Sequence, residues 1–372
     1  MHGFLPRQRE SFLKNRHWLA SYCAERVRQA RRNSPKRVWV TIADHFEPWW
    51  HRPAPEVALE RVRRWTRHWP AIAARHVDSG GRRPVYTFFY PEEQYDTRVL
   101  DELSGMTHDG IADVEVHLHH DNDTESALVD RLGQFVECLY ARHDLLRKAE
   151  GTIRFGFIHG DWALDNSLPD GRCCGVNNEI SILRSLGCYA DFTLPSAPSP
   201  AQTRMVNTIY WATDDPAKPK SHDCGVPVVA GGPVAGDLMM IPGPLTFNLR
   251  EWALPDVPKL ECGEVAGNCL PTVHRAQLWL KVAPRIGTDA FIKLFSHGAP
   301  EKNAIPLLEE GALDRTLEYA KFAAGAIGAE LFFVSAHQMW IAVDALRRGV
   351  DPINEITSAG LDAPPMQAAY GS

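Results

Sequence analysis

At 372 residues, 44% hydrophobic and 23% charged, the chain has the composition of an ordinary globular protein. It holds no run of eighteen apolar residues, which excludes a membrane-spanning helix of the usual kind. A net charge of −6 gives no support to nucleic-acid binding, and the eight cysteines are scattered, two of them adjacent (Cys173, Cys174), without disulfide-framework spacing. The opening residues, M-H-G-F-L-P-R-Q-R-E, lack the apolar stretch of a secretory signal, so the expectation is a cytoplasmic protein with reduced thiols.

Charge is unevenly spread. Residues 1–37 carry ten Lys and Arg against Glu10 and Glu25, so the remainder is more acidic than the net value suggests. Phe12, Leu19, Cys23 and Val27 recur at helical spacing and predict a basic amphipathic helix. Such a helix could touch anionic lipid or nucleic acid, but it is expected instead to lay that apolar stripe on the body of the protein and turn its arginines toward the acidic remainder.

In chain order, Arg37–Asp44 (R-V-W-V-T-I-A-D) reads as a strand, rich in β-branched and aromatic residues. Glu56–His76 places Val62, Trp65, Trp69 and Ile72 at steps of three and four, a helix stopped by Gly80–Gly81. Pro84–Tyr90 is a second strand, a helical piece around Thr97–Met106 follows, and the third strand runs into V-E-V-H-L-H-H-D-N-D-T at Val114–Thr124. Leu128, Leu132, Phe135, Leu139 and Leu146 mark a long helix. Thr152–His159 is a fourth strand, Asn178–Leu186 a helix and Tyr189–Leu194 a fifth strand. The rhythm then loosens: Pro195–Pro271 is rich in Pro and Gly, with strands expected at Thr208–Trp211, Val226–Ala230 and a hairpin through Leu238–Phe247. It returns with a helix at Val273–Val282, a strand at Phe291–Ser296, a helix at Leu313–Ala324, a strand at Leu331–Val334 and a last helix from Ser335.

Such alternation implies right-handed βαβ units and a parallel sheet. The expected fold is α/β: a (β/α) barrel of seven or eight mainly parallel strands over residues 37–350, with an irregular strand-rich insertion at 195–271. Residues 1–36 form a basic extension and 351–372 a tail. An open doubly wound sheet is the alternative, but no G-x-G-x-x-G follows the first strand, so dinucleotide binding has no support.

The polar residues gather at strand C-terminal ends, the face that carries chemistry in parallel barrels. These ends are Asp44-His45-Phe46-Glu47, His117 to Asp121, His159-Gly160-Asp161-Trp162, Asp191, and Ser296-His297. Successive strand side chains alternate between faces, so Glu115, His117 and His119 share one face, and the two imidazoles are spaced to reach a single divalent cation. His222, Cys224, Cys262 and Cys269 could form a second, structural zinc site in the insertion, but their spacings fit no established pattern and the cysteines are expected to be small buried side chains. His337, after the last strand, is expected either to line the pocket or to cap the final helix.

These ends resemble those of the NodB-type polysaccharide deacetylases and their wider glycoside hydrolase/deacetylase superfamily. T-I-A-D-H-F at Thr41–Phe46 is similar to the family's Thr-Phe-Asp-Asp-Gly motif, H-L-H-H-D at His117–Asp121 to its His-x-x-x-His, H-G-D-W to its fourth-strand motif, Asp191 to its fifth-strand acid and L-F-S-H to its late Leu-x-His. The resemblance spans about Val38–His297 and rests on motif order and strand placement. It implies a divalent metal, zinc by ligand type, held by Asp44 and His117, with the third ligand open among His119, His120 and Asp121; His119 is preferred because it shares a face with His117. Two departures stand out. Ala43 replaces the aspartate that activates water in the family, and Asp121 replaces the second histidine of its metal motif. The base is therefore sought at Glu47 or Asp161, or at Asp44 itself, with His297 as the late histidine.

The reaction so implied is removal of an N- or O-acetyl group from a carbohydrate by metal-activated water. His159, Trp162 and Asp191 would contact the substrate, and Trp49 and Trp50 are further candidates for stacking on sugar rings. Two other functions compete: a glycosidase of the same superfamily using paired carboxylates such as Glu47 with Asp161 or Asp191, and a catalytically silent sugar-binding protein, which the missing aspartate allows. Oligomeric state leaves no mark in the sequence.

Overall fold

The computed structural model describes residues 16–254 and 257–358. Its centre is a mostly parallel sheet covered by helices. Eight strands run parallel among the described residues: β1 (Arg37–His45), β2 (Tyr86–Pro91), β3 (Ala112–Leu118), β4 (Thr152–His159), β5 (Cys188–Asp191), β6 (Leu238–Met240), β7 (Asp289–Ser296) and β8 (Glu330–Phe333). Their order is β7-β1-β2-β3-β4-β5-β6. β1 pairs with β7 along nearly its whole length, while Arg37–Val40 also pair with β8 and Ala43–His45 with β2. The register aligns Asp44 with Ser296, His45 with Phe89, Pro91 with His117 and Leu118 with His159. The polar strand ends of the sequence therefore meet at one edge of the sheet.

The strands are buried on both faces, as helix-covered parallel sheets require. Val38, Val40 and Ile42 of β1 join one core with Val62, Trp65 and Trp69 of helix α1 (Pro55–Ala74). Trp39 and Ala43, one residue out of phase, join a second core with Phe89, Ile158, Phe291 and Phe332. Pro55 opens α1 at a position that needs no amide donor. The indoles of Trp65 and Trp69 are buried but not unsatisfied, since their Nε1 atoms donate to the carbonyls of Gly298 (3.0 Å) and Ile111 (2.8 Å). Further helices used below are α2 (Thr97–His108), α3 (Glu125–His143) and α4 (Glu179–Ser185).

Most expected elements form, and Thr152–His159 and Val273–Val282 match residue for residue. Three differences have physical causes. The hairpin expected through Leu238–Phe247 is instead Thr246–Leu254 paired with Val257–Glu261, because Pro242 and Pro244 remove ladder donors and end β6 at Met240. Leu238–Met240 lies beside β5 in the parallel sheet, so the irregular stretch contributes a strand to the centre. The expected strand at Val226–Ala230 shrinks to Val226–Pro227 for the same reason.

The N-terminal helix spans Leu19–Ala30, but its docking differs from the expected stripe. Cys23 is exposed and Val27 is 54% exposed. Contact is made by buried Trp18, packed with Val206 and Leu245, and by polar groups: Arg26 donates to the carbonyl of Lys281 and Gln29 to those of Val282 and Ala283. Phe12 and the first basic residues lie outside the described residues, as do residues 359–372 of the tail. No helix among the described residues is long and apolar enough to cross a membrane.

Candidate metal centre

Glu47, two residues past β1, is the hub of the site. Its Oε1 lies 3.4 Å from Nε2 of His117 and 3.4 Å from Nε2 of His119. On its other side it forms a second donor group with His45 and His297. The imidazoles crowd together, with ring centres 5.0 Å apart for His45 and His117, 4.7 Å for His45 and His297, and 4.6 Å for His117 and His119. Either trio, His45-Glu47-His297 or Glu47-His117-His119, can hold a metal ion.

The outer contacts favour the second trio. Nδ1 of His117 lies 2.8 Å from the carbonyl oxygen of Ile158, which can only accept, so this nitrogen carries the proton and Nε2 presents its lone pair. Nδ1 of His119 lies 2.6 Å from the Glu93 carboxylate, with the same result. A ring nitrogen tied to a carbonyl or carboxylate while the other faces inward is how proteins orient imidazoles toward a metal. The residues present therefore fit a divalent cation.

Local structure places each donor. His117 lies on β3 and His119 one residue past its end, two positions apart and so in the same phase of the alternation. Gly160 lets the loop after β4 pass the His119 ring, where any Cβ would collide. Buried Arg61 donates to the carbonyls of Pro48 (2.8 Å) and Trp50 (2.9 Å) and pairs with Glu301, fixing the loop that carries Glu47. His297 is held by its neighbour: Gly298 donates its amide to Asp44 at 2.7 Å and accepts from Trp65.

Burial opposes charge on Glu47, yet His117 and the other surrounding imidazoles outweigh it and hold its pKa below the ordinary value. Burial lowers His297 to about 4 despite Glu47 beside it. His45 is lowered well below the ordinary value, chiefly by burial and then by its histidine neighbours, and its Nε2 has no hydrogen-bond partner. For His119, burial is outweighed by the Glu93 contact and the pKa rises.

Two cavities open onto the cluster. One of about 410 Å³ is lined by Glu47, Trp50, Glu264, His297 and Lys302; the other, about 700 Å³, by Glu47, Trp49, Trp50, Glu93 and His119. Trp50 borders both, and the Lys302 ammonium sits 3.9 Å from its ring centre. Trp162 approaches from the loop after β4, 6.1 Å from His45 and 6.3 Å from His297 between ring centres.

Of the residues singled out in the sequence, Glu47, His117, His119, His297 and Trp162 come together. Asp44 does not join them: it shares the face of Val40 and Ile42, accepts from Tyr86 (2.9 Å) and Gly298, and burial raises it to about 7. Asp161 is exposed and reaches the cluster through its charge, one of several that raise His119. Asp121 is exposed and accepts the Cys173 amide. His120 and His159 turn to a separate buried group. Asp191 is buried and accepts from both the amide (3.0 Å) and the hydroxyl (2.6 Å) of Thr193. His337 packs between Tyr189 and Trp340 in the second core. Against the expectation of buried thiols, Cys224 is exposed and Cys262 and Cys269 are half-buried; neither they nor His222 enter a metal-holding group among the described residues.

The sequence reading passed over His45 and Glu93. Alternation alone puts His45 in phase with Ala43 and out of phase with Asp44, a signal that was there to use. Glu93 lies 26 residues from its partner His119, and nothing local announces the pairing. No family model matches the chain, and no curated protein gives a significant match.

Proposed function

We propose that the chain is a metal-dependent hydrolase that removes an acetyl group from a carbohydrate, as its resemblance to the NodB-type deacetylases implies. The observation that carries this reading is the position of Glu47, equidistant from two imidazole nitrogens whose far sides are tied to acceptors. His117, His119 and Glu47 would hold the cation, and this donor set suits zinc. When bound, such an ion brings the pKa of water to ~7 and polarises an acyl oxygen.

The chain's own groups would do the rest. His45 and His297, kept neutral by burial, face the same space and can accept a proton from water and return it to the departing amine or alcohol. They fill the role left open by Ala43. Trp50 and Trp162 offer half-buried rings against which a sugar can stack. Asp191, spent on Thr193, is not placed as a paired carboxylate for Glu47, which weighs against the glycosidase alternative. The same reading takes the parallel strands as a closed (β/α) barrel, supported by the reach of Lys293 from β7 to the carbonyl of Phe192 beyond β5, 2.8 Å away.

The test is metal analysis combined with acetate release from a panel of N- and O-acetylated sugars. Activity with divalent metal is expected, and in His117→Ala and Glu47→Gln the loss of that activity together with one metal ion per chain. Bound metal without acetate release from any sugar would favour the silent binding protein, and full metal content in both variants would overturn the site.

A further inference from the structure

Where β3 and β4 end, a second set of donors converges away from the cavities. His120, His159, Cys174 and Glu179 are all buried, and one donor atom from each lies within 4.8 Å of the others. Nε2 of His120 is 2.7 Å from Nε2 of His159 and 3.2 Å from Glu179 Oε1, which is also 3.6 Å from Nε2 of His159. Cys174 Sγ lies 3.5 Å from the other Glu179 oxygen.

The outer contacts decide what this set can be. Nδ1 of His120 is 3.1 Å from the Asp123 carboxylate, which Arg131 keeps paired, and Nδ1 of His159 faces the carbonyl oxygen of Gly160. Both partners only accept, so both rings carry their proton on Nδ1 and turn a lone pair inward. Two imidazole lone pairs and a carboxylate then point at one another, with a thiol alongside, in a buried space. Such an array repels itself unless a cation sits in it. Nearby His222 is fully buried, and neither of its ring nitrogens has a hydrogen-bond partner.

We propose that His120, His159, Cys174 and Glu179 bind a second divalent transition-metal ion, of the zinc class, as a closed structural site. Two nitrogens, a sulfur and an oxygen complete a tetrahedral set and leave no position for substrate, unlike the cavity-facing cluster around Glu47. The four ligands come from the end of β3, the end of β4, the following loop and the first residue of α4. The ion would thus fasten the loop of residues 160–178, which contains Asp161, Trp162, Asp165, Asn166 and Cys173 at positive φ, a conformation costly to hold without support. That loop presents Trp162 to His45 and His297. The inference stands apart from the hydrolase reading, since it uses none of the same ligands.

The experiment is optical spectroscopy and metal counting on the full chain produced in cobalt-supplemented, zinc-depleted medium. A thiolate bound to cobalt gives a near-ultraviolet sulfur-to-metal charge-transfer band, which the cavity cluster, having no cysteine, cannot produce. The band is expected in the unaltered protein, retained in Cys173→Ser and His117→Ala, and lost in Cys174→Ser with one cobalt fewer per chain. Absence of the band from cobalt-loaded unaltered protein, or its survival in Cys174→Ser, would overturn the site and leave a single proton shared by His120, His159 and Glu179 as the neutralising cation. Because the unaltered protein decides the question, a poorly folding variant does not. Loss of metal in His117→Ala with the band intact would separate the two sites.

Discussion

Asp44 accepts the amide of Gly298 at 2.7 Å, so the end of β1 is locked to the turn that carries His297. This makes Asp44 a fastener of the site, held on the far face from the imidazoles. Asp44→Asn keeps an acceptor for that amide and is expected to retain bound metal, whereas Asp44→Ala is expected to lose about 1–3 kcal/mol of stability. Denaturant unfolding with metal analysis checks both. A well-folded Asp44→Asn protein without metal would make Asp44 a ligand after all.

Gly298 itself has no room for a side chain, because a Cβ would run into the Asp44 carboxylate and the Trp65 ring. Gly298→Ala is expected to lower stability by about 1–3 kcal/mol and to slow acetate release by displacing His297. A variant with unchanged melting temperature and rate would show that the turn yields freely.

Glu93 lines the larger cavity and holds His119 twice, at Nδ1 (2.6 Å) and by accepting its backbone amide (3.3 Å). Removal of such an outer partner weakens metal affinity by roughly 10–100-fold while leaving the ligands in place. Competition of Glu93→Gln against a chromophoric chelator measures this, and an affinity equal to that of the unaltered protein would mean that His119 needs no orientation.

Lys293 gives the pH prediction. It is 1% exposed, donates to the carbonyl of Phe192, and burial lowers its pKa to about 7 with Asp191 pushing back. An unfolded lysine titrates near ~10.4. Between about pH 7 and 10 the unfolded chain therefore binds a proton that the folded chain does not, and stability rises with pH. Below that window both states are protonated and the contribution is flat. Lys293→Met should remove this part of the slope, so its urea midpoint should fall relative to the unaltered protein as pH rises from 7 to 9. Parallel midpoints across those pH values would refute the shift.

A buried ion pair lies on β3. Glu115, fully buried on β3, accepts from Arg147 (2.7 Å) and Tyr189 (2.6 Å), and Arg147 also bonds Asp113. Arg147→Met strands the Glu115 carboxylate and is expected to cost roughly 3 kcal/mol, tempered by the partial exposure of the arginine. Equilibrium unfolding gives the value, and a loss near zero would mean that Glu115 is held protonated.

Strand periodicity made much of this legible. Alternation paired His117 with His119, and the polar ends of β1, β3, β4 and β7 marked the functional edge that the register then assembled. Motif alignment pulled the other way at β1, selecting Asp44 where alternation would have selected His45. Glu179 was out of reach for a different reason: it lies 59 residues from His120 and opens a helix with no flanking motif, so only tertiary folding brings the two together.

His119 and His120 are neighbours in the chain, yet they serve different chambers, one open to solvent and one sealed. Their separation depends on odd and even count along a single extended segment. Shortening or lengthening that segment by one residue ahead of His117 would exchange the two rings and dismantle both chambers together, whereas a change by two would preserve the parity. The stretch should therefore tolerate an apolar exchange of similar volume at Val114 or Val116 far better than a one-residue change in its length.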